Sequence, residues 1–217
     1  MHNNHRSVVV LISGNGSNLQ ALMDFSSAGN YRVSGVISNK PDAYGLQRAK
    51  QSNIPTTVVD HKQYASRDLF DQALSQAIDE YEPGLIVLAG FMRILGADFV
   101  KRYQGKILNI HPSLLPNYPG TNTHQRVLDA GEKMHGVSVH FVTEELDGGP
   151  VIAQESIAIE SIDNAETLAL RIHEKEHVLY PAVVSLFADG RLSLDENSAF
   201  MDEQLLPETG QRLTAHE

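Results

Sequence analysis

The chain has no cysteine. That absence removes disulfides, thiolate nucleophiles and cysteine-rich zinc sites together, and it fits a cytoplasmic protein. No stretch approaches the roughly 18 consecutive apolar residues of a membrane span. The apolar run near the start, Val8-Val9-Val10-Leu11-Ile12, is too short for the core of a signal peptide and runs into a glycine-rich turn. Basic residues are in deficit: 17 Lys and Arg against 27 Asp and Glu give a formal charge of -10. Attraction to phosphate supplies most nucleic-acid affinity, so a nucleic-acid partner is disfavoured. A small anion is still acceptable where a local cation or a set of backbone amides receives it. No internal repeat and no low-complexity tract is present. With 217 residues, 41% of them hydrophobic, the chain is long and apolar enough for one α/β domain with a full core.

Residues 8–12 read as a parallel strand covered on both faces. Ser13-Gly14-Asn15-Gly16-Ser17-Asn18 follows, and then Leu19, Leu22, Met23 and Phe25 at helical spacing. A strand, a glycine-rich turn and a helix start make a seat for an anion, because free N–H groups and the helix dipole favour negative charge. The plainer alternative is an ordinary turn with Ser17 or Asn18 as N-cap. A monophosphate fits better than a dinucleotide. The third glycine position holds Leu19, and the second strand, 32–38, ends in Ser38-Asn39-Lys40 with no acid for a ribose hydroxyl. Residues 44–52 read as a helix and 56–59 as a strand. Residues 67–81 read as a helix capped by Ser66, with Leu69, Phe70, Leu74 and Ile78 facing inward. Strand 85–89 leads into Gly90-Phe91-Met92-Arg93-Ile94-Leu95. This apolar loop around one arginine is either a wall for a flat heterocycle or a loop packed on the core. A helix over 96–103 completes this half.

The second half turns on Ile107-Leu108-Asn109-Ile110-His111-Pro112-Ser113-Leu114-Leu115-Pro116. The apolar run reads as a buried strand that Pro112 ends. Asn109 and His111, two apart, share one face of it, at the strand edge where open α/β sheets hold ligands. An amide donor beside an imidazole suits acyl chemistry; a core histidine next to a strand-end asparagine is the bland alternative. Thr121-Asn122-Thr123 caps a helix from near His124. Residues 136–142 alternate, 151–159 form a second strand-like run, and the two pair antiparallel at the sheet edge. Between them, Thr143-Glu144-Glu145-Leu146-Asp147-Gly148-Gly149-Pro150 makes a shaped loop. A long helix over 165–186 packs through Leu168, Leu170, Ile172, Val178, Leu179, Val183 and Leu186 and bends at Pro181. Its His173-Glu174-Lys175-Glu176-His177 patch reads, from composition, as a solvated face. Residues 192–195 form a short strand.

The fold class that follows is α/β, a Rossmann-like, mostly parallel twisted sheet with helices on both faces and an antiparallel edge in the C-terminal part. Residues 1–6 are expected to be a flexible lead, 7–197 a single domain and 198–217 a loose tail. Within the domain, 7–105 form a phosphate-binding half and 106–197 a catalytic half.

Four segments together resemble the folate-dependent phosphoribosylglycinamide formyltransferases: Ile12-Ser13-Gly14-Asn15-Gly16-Ser17-Asn18-Leu19-Gln20, Ala89-Gly90-Phe91-Met92-Arg93-Ile94-Leu95, the Leu108 to Pro116 run, and Glu145-Leu146-Asp147-Gly148-Gly149-Pro150. The resemblance spans about 8–197. It implies transfer of a formyl group from the co-substrate 10-formyltetrahydrofolate to the glycinamide amine, with no metal. It places catalysis on Asn109, His111 and Asp147. Substrate phosphate and ribose fall to Gly16, Ser17, Asn18, Glu176 and His173. Folate falls to Arg67, Met92, Arg93, Ile94, Leu95, Asn109, Thr143, Glu144, Glu145, Leu146 and Asp147. It also implies small-molecule substrates only, no nucleic acid or membrane partner, and a monomer or homodimer. The residue chemistry agrees. Asn109 donates to the oxyanion of a tetrahedral intermediate. His111 as imidazolium stabilises that charge and protonates the departing nitrogen, and Asp147 orients and charges the ring.

Four rivals stand beside this reading. Methionyl-tRNA formyltransferases usually carry a second, basic C-terminal domain, and nothing here is long or basic enough. Formyltetrahydrofolate hydrolases place a regulatory domain before the first strand, where this sequence has only a few residues. A nucleotide-binding module without catalysis would keep the 14–18 turn and make Asn109, His111 and Asp147 coincidental. A metal hydrolase using His111, His135, His140 and Asp147 has enough ligands but no H-E-x-x-H or similar spacing.

Overall fold

The computed structural model describes residues 6–213. Five strands form a parallel block: β1 (Ser7–Ile12), β2 (Arg32–Ser38), β3 (Thr56–Val58), β4 (Leu85–Leu88) and β5 (Ile107–His111). Two antiparallel strands, β6 (Met134–Phe141) and β7 (Val151–Ala158), extend it, and the order across the sheet is β3-β2-β1-β4-β5-β6-β7. The expected antiparallel edge is therefore these two strands. The helices are α1 (Ser17–Phe25), α2 (Tyr44–Gln51), α3 (Arg67–Asp79), α4 (Ala97–Arg102), α5 (Thr123–Asp129) and α6 (Ala165–Ala188).

The unbroken apolar run of β1 has a direct structural cause. Val8, Val10 and Ile12 face one core, with Leu19, Leu22, Leu46, Ile172 and Tyr180 of α1, α2 and α6. Val9 and Leu11 face the other, with Phe70, Leu74, Ile78 and Phe99 of α3 and α4. A strand buried on both faces favours apolar residues at successive positions, as Val8 to Ile12 show. From β1 the chain steps outward through β2 and β3, then returns to β4 on the opposite side of β1. The carboxyl ends of β1 and β4 therefore flank a crevice at the switch point, where ligands of open α/β sheets bind. Fully buried Tyr180 shares its hydroxyl proton between the Leu88 and Leu108 carbonyls, 3.0 Å from each, and so ties the ends of β4 and β5 together.

Three expectations need correction. Leu170 and Val178 are exposed on α6; each lies two residues, about 200° of helical rotation, past a buried position, Leu168 or Glu176. Leu69 is likewise exposed on α3. Residues after Asn197 do not form a loose tail where described. β8 (Leu192–Asp195), β9 (Ser198–Met201) and β10 (Gln204–Leu205) make a three-stranded antiparallel sheet, and Gln211 bonds the edge of β7 through the Ile152 carbonyl at 2.8 Å. Buried Ala199 and packed Leu206 supply the apolar contacts that fix it. Residues 1–5 of the expected lead and 214–217 of the expected tail lie outside the described residues. Among the described residues no helix is long and apolar enough to cross a membrane.

Candidate active site

The glycine-rich turn leaves β1 at Ser13 and enters α1 at Ser17. Its N-cap is Gly16, in the left-handed region at φ 76, with no side-chain cap, so neither Ser17 nor Asn18 holds that role. Only glycine takes that conformation at no steric cost, and a Cβ at Gly16 would also meet Gly45 Cα of α2 at 2.8 Å. Asn18 is thereby free to reach across to α6, where its Nδ2 donates to Glu176 Oε2 at 2.8 Å. Glu176 is 4% exposed. It belongs to the inward stripe with Ile172, Leu179 and Val183, and that spacing, rather than the charge around it, was the usable signal. His173 is half exposed, with Nε2 3.9 Å from the same carboxylate oxygen. Arg48 braces the turn, donating from Nε to the Asn15 carbonyl and from Nη2 to Asn15 Oδ1, both at 2.9 Å.

At the end of β5, Asn109, His111 and Asp147 come together around a fourth residue, His140 of β6. Burial pushes the His140 imidazole down to about 4 from 6.5, so the ring is neutral near pH 7. Its Nδ1 lies 2.9 Å from the Phe141 carbonyl, which only accepts, so Nδ1 carries the proton and Nε2 is an acceptor. Asn109 Nδ2, 3.1 Å away, is the donor that Nε2 requires. The second hydrogen of that amide points to Asp147 Oδ1 at 3.4 Å. His111 is 4% exposed. Its Nε2 donates to the Tyr118 carbonyl at 2.9 Å, and its Nδ1 lies 3.4 Å from Asp147 Oδ2. The same Oδ2 accepts the Gly120 N–H at 2.8 Å.

Asp147 itself adopts φ 51, a left-handed backbone in a non-glycine residue. The loop that carries it is pressed against β6 at Gly149, where a Cβ would meet the Phe141 carbonyl oxygen at 1.9 Å. Glycine there lets the loop turn back over the strand. The sequence placed His140 beside His111 and Asp147 only in the metal alternative, and it did not point to the Tyr118 carbonyl or the Gly120 amide. Ser138 and His140, polar residues two apart on a strand buried from His135 onward, were the signal for His140. Nothing local marks the two backbone groups, since their role depends on the loop after Pro116.

A cleft of ≈ 120 Å³ opens beside Asn109 and His140. Arg93, Ile94 and Leu95 form one side, and the 143–147 loop (Thr143, Glu144, Glu145, Leu146, Asp147) forms the other. Met92 and Arg67 do not line it. The Met92 side chain is exposed, while its backbone N–H is held by Ser13 Oγ at 2.8 Å, which joins this loop to the end of β1. Arg67, the first residue of α3, lines a separate cavity between α3 and α4. The alternative metal set does not assemble either. His135 bonds His124 instead, Nε2 to Nδ1 at 2.9 Å, and among the described residues no group of three acidic or histidine side chains is placed to hold a metal ion.

The model of the formyl transferase family matches residues 6–184. The phosphoribosylglycinamide formyltransferase of Escherichia coli (strain K12) is 50% identical over 206 residues, covering 94% of this chain and 97% of that protein. The chain belongs to the phosphoribosylglycinamide formyltransferase family. The Haemophilus influenzae member is 45% identical over 207 residues, 94% of this chain and 98% of its own. The solved structure of the Coxiella burnetii phosphoribosylglycinamide formyltransferase in complex with CHES matches with a TM-score of 0.92 at 51% identity, covering 96% of this chain and 99% of that one. Family membership thus extends over nearly the whole chain, both the glycine-rich turn and the Asn109 cluster included.

Proposed function

We propose that this chain transfers the formyl group of 10-formyltetrahydrofolate to the amine of 5-phosphoribosylglycinamide, giving formylglycinamide ribonucleotide in purine biosynthesis. Its family supports the reaction class. The observation that carries the mechanism is the convergence of Asn109, His111 and Asp147 within hydrogen-bond or ion-pair reach. The phosphate is held by the amides of Gly16, Ser17 and Asn18, and the ribose end meets Glu176 and His173. The folate head lies in the cleft between Arg93, Ile94, Leu95 and the 143–147 loop.

The amine attacks the formyl carbon directly, and the carbonyl oxygen becomes an oxyanion. Of the two Asn109 hydrogens, the one directed at Asp147 makes the longer contact, 3.4 Å against 3.1 Å. That is the hydrogen an oxyanion takes over, while neutral His140 keeps the amide aimed. His111, oriented and charged by Asp147, stabilises the same oxygen and gives a proton to the departing N10. Asp147 keeps its own place through the Gly120 amide. A water molecule carries the proton released by the attacking amine. Neither a metal nor a covalent enzyme intermediate takes part. The substrates are small molecules, the setting is the cytoplasm, and the working unit is a monomer or homodimer.

A formyl-release assay with and without 5-phosphoribosylglycinamide tests this reading. Transfer that depends on the amine acceptor supports it. Release of formate at the same rate without acceptor would make the chain a hydrolase, and ligand binding without turnover would leave a nucleotide-binding module.

A further inference from the structure

Asp71 is a buried acid that the proposed chemistry does not use. It sits on α3, one turn beyond Arg67, and lines the cavity between α3 and α4. Its Oδ2 accepts the Gly96 N–H at 2.7 Å. Its Oδ1 is shut off from water and has no hydrogen-bond partner. Burial pushes the carboxyl above the usual carboxylate range, against the pull of the Gly96 amide and of the Arg67 and Arg93 guanidiniums. Gly96 is the N-cap of α4 and directly follows Leu95. A Cβ at Gly96 would meet Asp71 Oδ2 at 2.8 Å, so position 96 is fitted to the carboxylate. Stability gives a poor account of this arrangement. A buried acid with one oxygen unpaired costs free energy, and many uncharged contacts would anchor a helix start.

Resting on the reading that Arg93, Ile94 and Leu95 contact the folate, we propose that Asp71 is a positioning residue for the formyl donor, pinning the Gly96 amide and, through it, the wall of the cleft. The hydrogen bond is the pin. The phosphate seat and the Asn109 cluster do not touch it, so its loss falls on one substrate only.

Steady-state kinetics of the full chain, with each substrate varied in turn, tests the proposal. Asp71→Ala is expected to raise the KM for 10-formyltetrahydrofolate about tenfold, as expected for one hydrogen bond to a charged group. The KM for 5-phosphoribosylglycinamide and kcat should stay within about twofold. Asp71→Asn keeps an acceptor for Gly96 and should hold the folate KM within about threefold of the parent. Should Asp71→Ala not fold, Gly96→Ala breaks the same contact from the other side and carries the same expectation. Equal increases in both KM values, no increase in either, or an Asn variant as impaired as the Ala variant would overturn the assignment. A wild-type chain that transfers no formyl group overturns the parent reading; an active wild type with unselective variants overturns this one alone.

Discussion

At the 14–18 end of the cleft, the groups proposed to hold the phosphate are the backbone amides of one short turn. At the other end the proposed catalytic groups are side chains on separate elements, and Asn109 bonds residues 31 and 38 positions away. The first design is local: it needs Gly16 at φ 76 and space beside Gly45, and little else. The second is collective, since His140 aims Asn109, Asn109 and Gly120 hold Asp147, and Asp147 faces His111. Removing one group from a backbone seat weakens binding by that group's own share. A side-chain cluster in which every member orients another fails as a unit.

That contrast sets the order of expected effects. Asn109→Ala should cut kcat roughly 10²–10³-fold, the usual consequence of losing one oxyanion donor, and near-native turnover would break the comparison at its strongest point. Asp147→Asn should lower kcat about 10²-fold while moving either KM far less, because the group acts through the charge on His111; a change confined to KM would assign Asp147 to binding instead. Asn18→Ala keeps the backbone amide but takes the hydrogen-bond donor from the Glu176 carboxylate, so it should raise the KM for 5-phosphoribosylglycinamide roughly tenfold with kcat nearly unchanged. A large fall in kcat would show that the two ends do not act separately. The smallest effect is on folding. His135 and His140 are held uncharged by burial, at about 4 against 6.5 for a free imidazole. Between those values the unfolded chain binds protons that the folded chain does not, so stability falls as the pH drops from 6.5 toward 4. Melting temperatures across that window should follow this slope, and His135→Gln should flatten part of it; an unaltered slope would place the linkage elsewhere.

The same contrast explains what was legible in the sequence. Strands β2 and β8 and the Ser66 cap of α3 carry their causes in adjacent residues, and they stand where periodicity and capping put them. The antiparallel pairing of β6 with β7 was readable from two apolar runs around a shaped loop. Less local features escaped. Ser17 and Asn18 are good capping residue types, but the turn needed a left-handed residue more than a side-chain acceptor, and Gly16 supplied it. The residues after Asn197 look polar, yet Ala199 and Leu206 find apolar partners far back in the chain. His140 looked like a spare metal ligand until β6 proved to be buried on both faces. Nothing near Asp71 in the sequence marks it, since its hydrogen-bond partner Gly96 lies 25 residues further on.

The central claim is that His111, charged and aimed by Asp147, assists direct formyl transfer between two small molecules. Formyl transfer from 10-formyltetrahydrofolate to purified 5-phosphoribosylglycinamide, run side by side for the wild-type chain and His111→Ala at matched folding, tests it most directly. Acceptor-dependent transfer by the wild type and a loss of at least roughly 10²-fold in kcat for the variant is the predicted result. An active His111→Ala enzyme, or a wild type that makes no formylglycinamide ribonucleotide, would contradict it.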